Sequence, residues 1–313
     1  MPTTLPSTCS SPRAARRGRG VIRSLLFAPA GLIRSLLFAS AGLALTAPVA
    51  SSAVPKRIIA LTPYSANTMT LLGVKPIAVG QVSSGEGSVY SAALNTVPRL
   101  PLSHPSGPNL EQLTTLKADF VFSSQAWARG KKGMERIGLR VAEREPRTVS
   151  EVPRQTKRIA SILGRSAQGA KLAKAQEAQI KAATKGIKKH PKVLVVLGVG
   201  NSPYAFLENS WGGDVVKRAG GTLITAGLKA SGGFARISDE AVVARNPDVI
   251  IAVPHGAPGD IKKIAAQMRD RPGWRTTNAA RTRRIYVSTS NTLLQPISGA
   301  GTTIAGVRKI LGN

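Results

Sequence analysis

Two glutamates hold matching places in this chain. Residues Asn109 to Phe122 (NLEQLTTLKADFVF) and Ser238 to Ile251 (SDEAVVARNPDVII) read as one device written twice. Each passage opens with a residue that accepts backbone N–H bonds at a helix start. Each then places a glutamate, Glu111 or Glu240, in the first turn and closes with an aspartate ahead of an apolar run of buried-strand type. A first-turn carboxylate complements the helix dipole, and an exposed one can also meet a cationic partner. Other chemistry lacks a foothold. The chain has no Walker lysine, no Gly-x-Ser-x-Gly elbow and no His-Glu-x-x-His. Gly198 and Gly200 come after a predicted strand, but Pro203 stands where a dinucleotide loop needs its third glycine. His104, His190 and His255 are too few and too dispersed for an all-protein metal cage. His190 sits beside Pro191, and the other two fall in predicted loops. With no nucleophile beside a positioned base, the sequence predicts a protein that is not an enzyme and holds no cofactor.

A repeat of this period is too long for a solenoid, so the natural reading is two similar α/β lobes, each contributing a helix-into-strand unit. The order begins with a strand at Arg57 to Leu61, a helix to Leu72 and a strand at Pro76 to Gly80. A polar stretch from Gln81 to Pro108, rich in Ser, Gly and Pro, predicts loop. After Phe122 come a loop with Trp127, a helix through Ile137, a strand at Leu139 to Ala142 and a helix to about Leu163. Residues Ser166 to Lys189 hold no proline and carry a thin apolar stripe (Leu172, Ala175, Ile180, Ala183, Ile187), which predicts one long helix able to join two lobes as a strut. The second lobe opens with the uninterrupted run Lys192 to Leu197, of the kind buried on both faces of a parallel sheet. Strands at Val249 to Val253 and Arg284 to Val287 and a final helix from Ala300 to Leu311 complete it.

The first 53 residues predict a cleaved secretory signal: arginines at 13, 16, 17, 19, 23 and 34 without an acid, an apolar run from Leu36 to Ala47, then Ser51-Ser52-Ala53. Within it, IRSLLFAPAGL is repeated almost unchanged as IRSLLFASAGL. The run is too short to span a bilayer comfortably. The residues after Arg16-Arg17, Gly-Arg-Gly-Val, match a twin-arginine signal poorly. The only cysteine, Cys9, precedes the apolar run and so cannot carry a lipid at a cleavage site. The expectation is an exported, periplasmic protein without disulfides. The chain has 44 Lys+Arg against 15 Asp+Glu, a net charge of +29, and without the leader it keeps about +23. Such a charge favours an acidic neighbour, but the basic residues are not interleaved with stacking aromatics, which argues against nucleic acid.

Taken in order, these landmarks resemble a known family: the class III solute-binding proteins of ABC importers for iron-siderophore complexes, haem and vitamin B12. Arg57 to Pro63 and Leu71-Leu72-Gly73 look like its opening strand and helix. Asn109 to Glu111, Lys117 to Asp119, Ala219 to Gly221, Ser238 to Glu240, Asn246 to Asp248 and Arg284 to Val287 look like its later landmarks. The resemblance covers residues 56 to 311. It implies two α/β lobes with central parallel sheets joined by one long rigid helix, with a lobe at 54–165, the helix at 166–190 and a lobe at 191–313. It further implies a permease dimer with its ATPase as partner, docked through Glu111 and Glu240, and membrane contact only through that permease.

In that family the ligand lies between the lobes, against loops at strand ends. Here those positions hold Tyr64, Trp127, Arg129, Tyr204, Trp211, Phe234, Arg236 and Asn291. Aromatic faces suit the apolar periphery of a large chelate and arginines pair with oxyanions, so the expected cargo is a ferric siderophore, then cobalamin, then haem. Trp274, near a helix end, reads as structural. A rival reading is an exported basic protein that binds acidic envelope polymer and has no small-molecule ligand.

Overall fold

Asp119 and Asp248, the aspartates that close the repeated device, do the same job in two sheets. Asp119 accepts the backbone N–H groups of Lys56 and Arg57 at 2.7 and 3.0 Å, and Asp248 accepts that of Lys192 at 2.9 Å. Each carboxylate therefore ties the start of its own strand to the start of the neighbouring one. Asn109 caps its helix through Glu111 N–H and Gln112 N–H, and Ser238 caps through Ala241 N–H. Lys117 and Asn246, each two residues before the aspartate, both take positive φ.

The computed structural model describes residues 53–81, 89–197, 203–228, 230, 232–253, 261–288 and 290–313, without the side chains of 261–265. The predicted leader with Cys9, the glycines at 198 and 200, and His255 lie outside the described residues. Residues Ser52–Asn313 form one compact unit.

The first lobe runs β1 (Ile58–Ala60), α1 (Pro63–Leu71), β2 (Ala78–Gly80), β3 (Arg99–Leu100), β4 (Leu102–Ser103), β5 (Gly107–Pro108), α2 (Leu110–Thr115), β6 (Phe120–Ser123), α3 (Ala128–Arg136), β7 (Arg140–Glu143) and α4 (Val152–Ile162). Its sheet has the order β3-β2-β1-β6-β7, with every neighbouring pair parallel. The stretch expected as loop supplies the edge strand β3 and the β4–β5 hairpin. Strands of two residues are too short to show a period in sequence.

After α5 (Ser166–Thr184), the second lobe runs β8 (Lys192–Leu197), β9 (Tyr204–Phe206), α6 (Trp211–Arg218), β10 (Thr222–Leu223), β11 (Phe234–Arg236), α7 (Asp239–Arg245), β12 (Val249–Val253), α8 (Ile261–Asp270), α9 (Asn278–Arg281), β13 (Ile285–Val287) and α10 (Ala300–Leu311). Its sheet has the order β11-β9-β8-β12-β13, with β10 pairing the start of β8. β12 is parallel to β8 and β13, whereas β9 and β11 turn antiparallel at the edge. No described helix is long and apolar enough to cross a membrane.

Alternation along the strands sends side chains to two faces of each sheet. Ile59, Leu61 and Val121 pack with Leu113 and Met134 on one face of the first sheet, and Leu194, Val196 and Ile250 pack with Val242 and Trp274 on one face of the second. The opposite faces share one cluster, in which Tyr64, Phe122 and Ile159 of the first lobe are continuous with Val195, Phe206, Val215 and Ile304 of the second. Each fully buried side chain of this size is worth ~1.5–3 kcal/mol, so separating the lobes would expose a substantial core.

The joining helix α5 is held at both ends by close approaches. A Cβ on Gly169 would lie 2.1 Å from the Ala160 Cβ of α4, and one on Gly301 of α10 would lie 2.9 Å from the Gln179 backbone of α5. The helix stops at Thr184, short of Lys189. Lys185 is extended, Gly186 takes φ +73°, and Arg308 caps the end by donating to the Ala183 and Lys185 carbonyls at 2.9 Å each. At 1.5 Å per residue, its span is roughly 28 Å.

Candidate functional site

Ligands of open α/β sheets bind beyond the carboxyl ends of the strands. In the second lobe that end carries a paired aromatic and arginine. β9 starts beside the end of β8, with Tyr204 opposite Leu197, and β11 brings Arg236 opposite Tyr204. Arg236 Nε donates to the Tyr204 hydroxyl at 3.1 Å, and its guanidinium lies 5.5 Å from the ring centroid. That bond holds the Arg236 pKa above its ordinary value. Both residues are exposed. One step inward on the same hairpin, Phe234 meets Phe206 edge to face at 4.8 Å and roots the pair in the core. Sequence reasoning placed Phe234 and Arg236 in a loop; they form a strand whose opposite pairing orders them with Tyr204.

Trp211 and Asn291 have a different surrounding. Trp211 is 5% exposed, the first residue of α6, and its indole N–H donates to the Thr292 carbonyl at 2.8 Å. Gly212 and Gly213 let that helix start settle: added Cβ atoms would meet the Leu293 and Leu207 carbonyls at 2.5 and 1.9 Å. Asn291 is 1% exposed within the same packed turn. Both are packed residues, not exposed faces for a ligand.

Tyr64 is corrected from a ligand contact to a core residue. It has no accessible surface, and its hydroxyl donates to the Val152 carbonyl at 2.8 Å and bonds Thr156 at 2.9 Å, fastening α1 to α4. Burial drives its pKa far up. Trp127 is half-buried against the first sheet and the β4–β5 hairpin, within 3.3 Å of where a Gly107 Cβ would stand, whereas Arg129 is exposed on α3. Trp274 is fully buried, and its indole donates to Asp239 at 2.9 Å.

A polar cluster at the strand ends of the first lobe escaped sequence reasoning. Tyr90 donates to the Gly80 carbonyl at the end of β2 at 2.5 Å, and the Arg99 guanidinium stacks over its ring at 4.2 Å. Glu145, two residues beyond β7, is half-buried, with Ser124, one residue beyond β6, among its neighbours. Burial pushes the Glu145 carboxyl up to about 7, against the downward pull of the nearby Ser124 hydroxyl. Tyr90 is raised as well, by burial first, with Arg99 opposing and Glu145 adding to the shift. The signal for this site lay in Glu143-Arg144-Glu145, a charged run that begins on the last residue of β7 in a chain with only 15 acids.

Glu111 and Glu240 are both exposed at the starts of α2 and α7. The backbone N–H and Ser238 hold the Glu240 carboxyl below the usual carboxylate range. Between the lobes, Asp214 of α6 accepts the Val149 N–H at the turn leading into α4. A cavity of about 370 Å³ between β13 and α10 is lined by Ile251, Tyr286 and Ile297 with Ser288, Thr292 and Thr303 at its polar side. Among the described residues, no group of His, Cys, Asp or Glu could hold a metal ion.

The periplasmic binding protein family model matches residues 58–292. Over 100 residues the chain is 32% identical to the high-affinity heme uptake system protein IsdE of Staphylococcus aureus, a match spanning 32% of this chain and 34% of that relative. The structure of S. aureus IsdE complexed with heme superposes with a TM-score of 0.68 at 21% identity, covering 82% of this chain and 99% of that one. An ABC-type Fe3+-hydroxamate transport protein from Saccharomonospora viridis gives 0.68 at 22% identity over 83% and 94%. The periplasmic vitamin B12 binding protein BtuF of Vibrio cholerae gives 0.67 at 18% identity over 83% and 97%.

Proposed function

From the premise that this chain belongs to the class III periplasmic binding proteins of ABC importers, we propose that it captures a ferric siderophore between its lobes in the periplasm and hands it to a permease dimer driven by an ATPase. The observation that carries this reading is the exposed Tyr204–Arg236 pair at the carboxyl end of the second sheet. The ring offers an apolar face, and the guanidinium keeps donors for an oxyanion of the chelate. Arg129, on the first lobe, is a second exposed cation for the same cargo, with Trp127 beside it. Cobalamin and haem are the other cargoes of this chemistry, and relatives named for them share the fold.

No bond is made or broken in this role. Affinity comes from stacking and charge pairing in a cleft whose walls are already in place, which lowers the ordering cost of binding. The shared core and the glycine contacts of α5 support a cleft formed before the ligand arrives. Glu111 and Glu240, one per lobe and each at the start of the repeated device, present two anions to a two-fold permease. The test is transport: the double variant Glu111→Lys with Glu240→Lys should abolish uptake yet leave ligand affinity unchanged. Lost affinity instead would put these carboxylates in the ligand site.

A further inference from the structure

The helices that close the shared core form a layer almost without acids. α5 packs between α4 and α10, and the three send Ile159, Ala183 and Ile304 into that core. Across all three helices Glu177 is the only Asp or Glu, and its carboxylate meets Lys157 of α4 at 3.7 Å. On α5, Lys171, Lys174 and Lys181 share the side away from the buried Gly169, Ala173, Gln176 and Ala183, a ridge roughly 15 Å long at 1.5 Å per residue. Lys185 continues the ridge past the helix end, and Arg158 of α4 and Lys309 of α10 flank it. All six side chains are exposed and make no ion pair among the described residues. Apart from Glu177, the other exposed residues of α5 are Ser, Ala and Gln. Glu111 and Glu240 lie elsewhere: α2 and α7 pack through Leu113 and Val242 on the faces of the two sheets turned away from this layer.

We propose that the outer face of α4, α5 and α10 is an interaction surface for an anionic phospholipid membrane, on which the protein lies flat with its lysine ridge against the headgroups. Charge complementarity identifies the partner, since unpaired cations crowded on one layer repel one another until an anionic surface neutralises them. The spread of the cations favours a plane over a thread. Packed helices lie ~8–10 Å apart, so the charges form three rows, and a linear acidic polymer following the α5 ridge would leave Arg158 and Lys309 unmet. With no exposed side chain on α5 that could insert among acyl chains, the contact stays at headgroup level and is weakened by salt. A protein adsorbed through this layer leaves Glu111 and Glu240 uncovered, so the surface is separate from the permease-docking one and adds a direct membrane contact to the contact made through the permease. The inference does not depend on which cargo is carried.

The experiment is co-sedimentation with vesicles, using protein from Ser52 onward, the compact unit, so that the arginines of the leader do not contribute. Vesicles of phosphatidylglycerol and phosphatidylcholine should bind it and vesicles of phosphatidylcholine alone should not, with the partition falling about tenfold or more between about 50 and about 300 mM salt. The variant Lys171→Glu, Lys174→Glu, Lys181→Glu should lose about tenfold or more of the binding to anionic vesicles, while Lys131→Glu, Lys132→Glu, Arg136→Glu on α3, an equal change in net charge, should stay within about twofold of the native protein. If charge reversal disturbs α5, Gln at the same three lysines keeps a good helix former and should still bind more weakly than the α3 variant. Equal losses in the α5 and α3 variants overturn the proposal, because net charge alone would then drive adsorption. Equal binding to neutral vesicles overturns it too, as does an absence of vesicle binding. Soluble polyglutamate is the final arm: ridge-dependent binding of the polymer without binding of vesicles overturns the assignment to a membrane.

Discussion

The carboxylate of Asp214, on the first helix of the second lobe, accepts the backbone N–H of Val149 in the first lobe at 2.7 Å. Thr148, at the cap of that turn, makes no side-chain cap bond of its own, so the start of the α4 segment is capped from the other lobe. Arg218 braces the arrangement by donating to both Asp214 oxygens at 3.1 and 3.0 Å. A cap normally set by local sequence is here supplied from the other lobe and ties the two together. Asp214→Ala should cost ~1–2 kcal/mol, as lost caps do, and lower the melting temperature by roughly 2–4 °C per kcal/mol. Small-angle scattering should also show a broader distribution of lobe separations. An unchanged melt and profile would mean the bond is incidental.

Strand-start aspartates should behave alike in the two lobes. Asp119→Ala and Asp248→Ala each leave backbone donors at a strand start without a carboxylate, at ~1–3 kcal/mol apiece in denaturant unfolding. Because the sites are far apart in sequence and in different sheets, the double variant should show the sum.

Close contacts of the joining helix set a sharper limit. At Gly169 even a methyl would overlap Ala160, so Gly169→Leu must push α5 off α4, with an expected loss of ~1–3 kcal/mol or more. Gly306→Leu, on the same α10 as the tight Gly301 but with open space around it, serves as the control and should cost about 1 kcal/mol or less, as a surface change does. Equal effects at 169 and 306 would contradict a tightly packed strut.

Stability should depend on pH through Glu145. Its folded pKa, about 7, lies above the ordinary value of 4.5, so between these values the folded state binds more protons than the unfolded one. The carboxyl's contribution is therefore present in full below pH 4.5 and is lost as pH rises through 7, a fall of up to ~3 kcal/mol. Glu145→Gln should flatten that slope in unfolding curves measured across the window.

The fold was legible in the sequence because its largest signals are cooperative. The buried runs at Phe120 to Phe122, Val193 to Leu197 and Val249 to Val253 and the repeated cap-glutamate-aspartate device each use many residues to say one thing. The site was less legible because side-chain direction decides it. Tyr64 lies in the first turn of α1 and Tyr204 opens β9, yet one turns inward to bond Val152 and the other stands 41% exposed beside Arg236. Trp211 looked like a stacking surface and instead commits its indole N–H to Thr292. Asp214 was passed over because its partner, Val149, is brought near only by the chain's fold.

Titration calorimetry of the purified protein with a ferric trihydroxamate, a ferric tricatecholate, haemin and cobalamin, repeated in Arg236→Ala, tests the central claim most directly. The account predicts saturable one-to-one binding of a ferric siderophore, weakened about tenfold or more in the variant while its melting temperature is unchanged. No binding of any of the four, together with salt-sensitive adhesion to acidic envelope polymer, would contradict it.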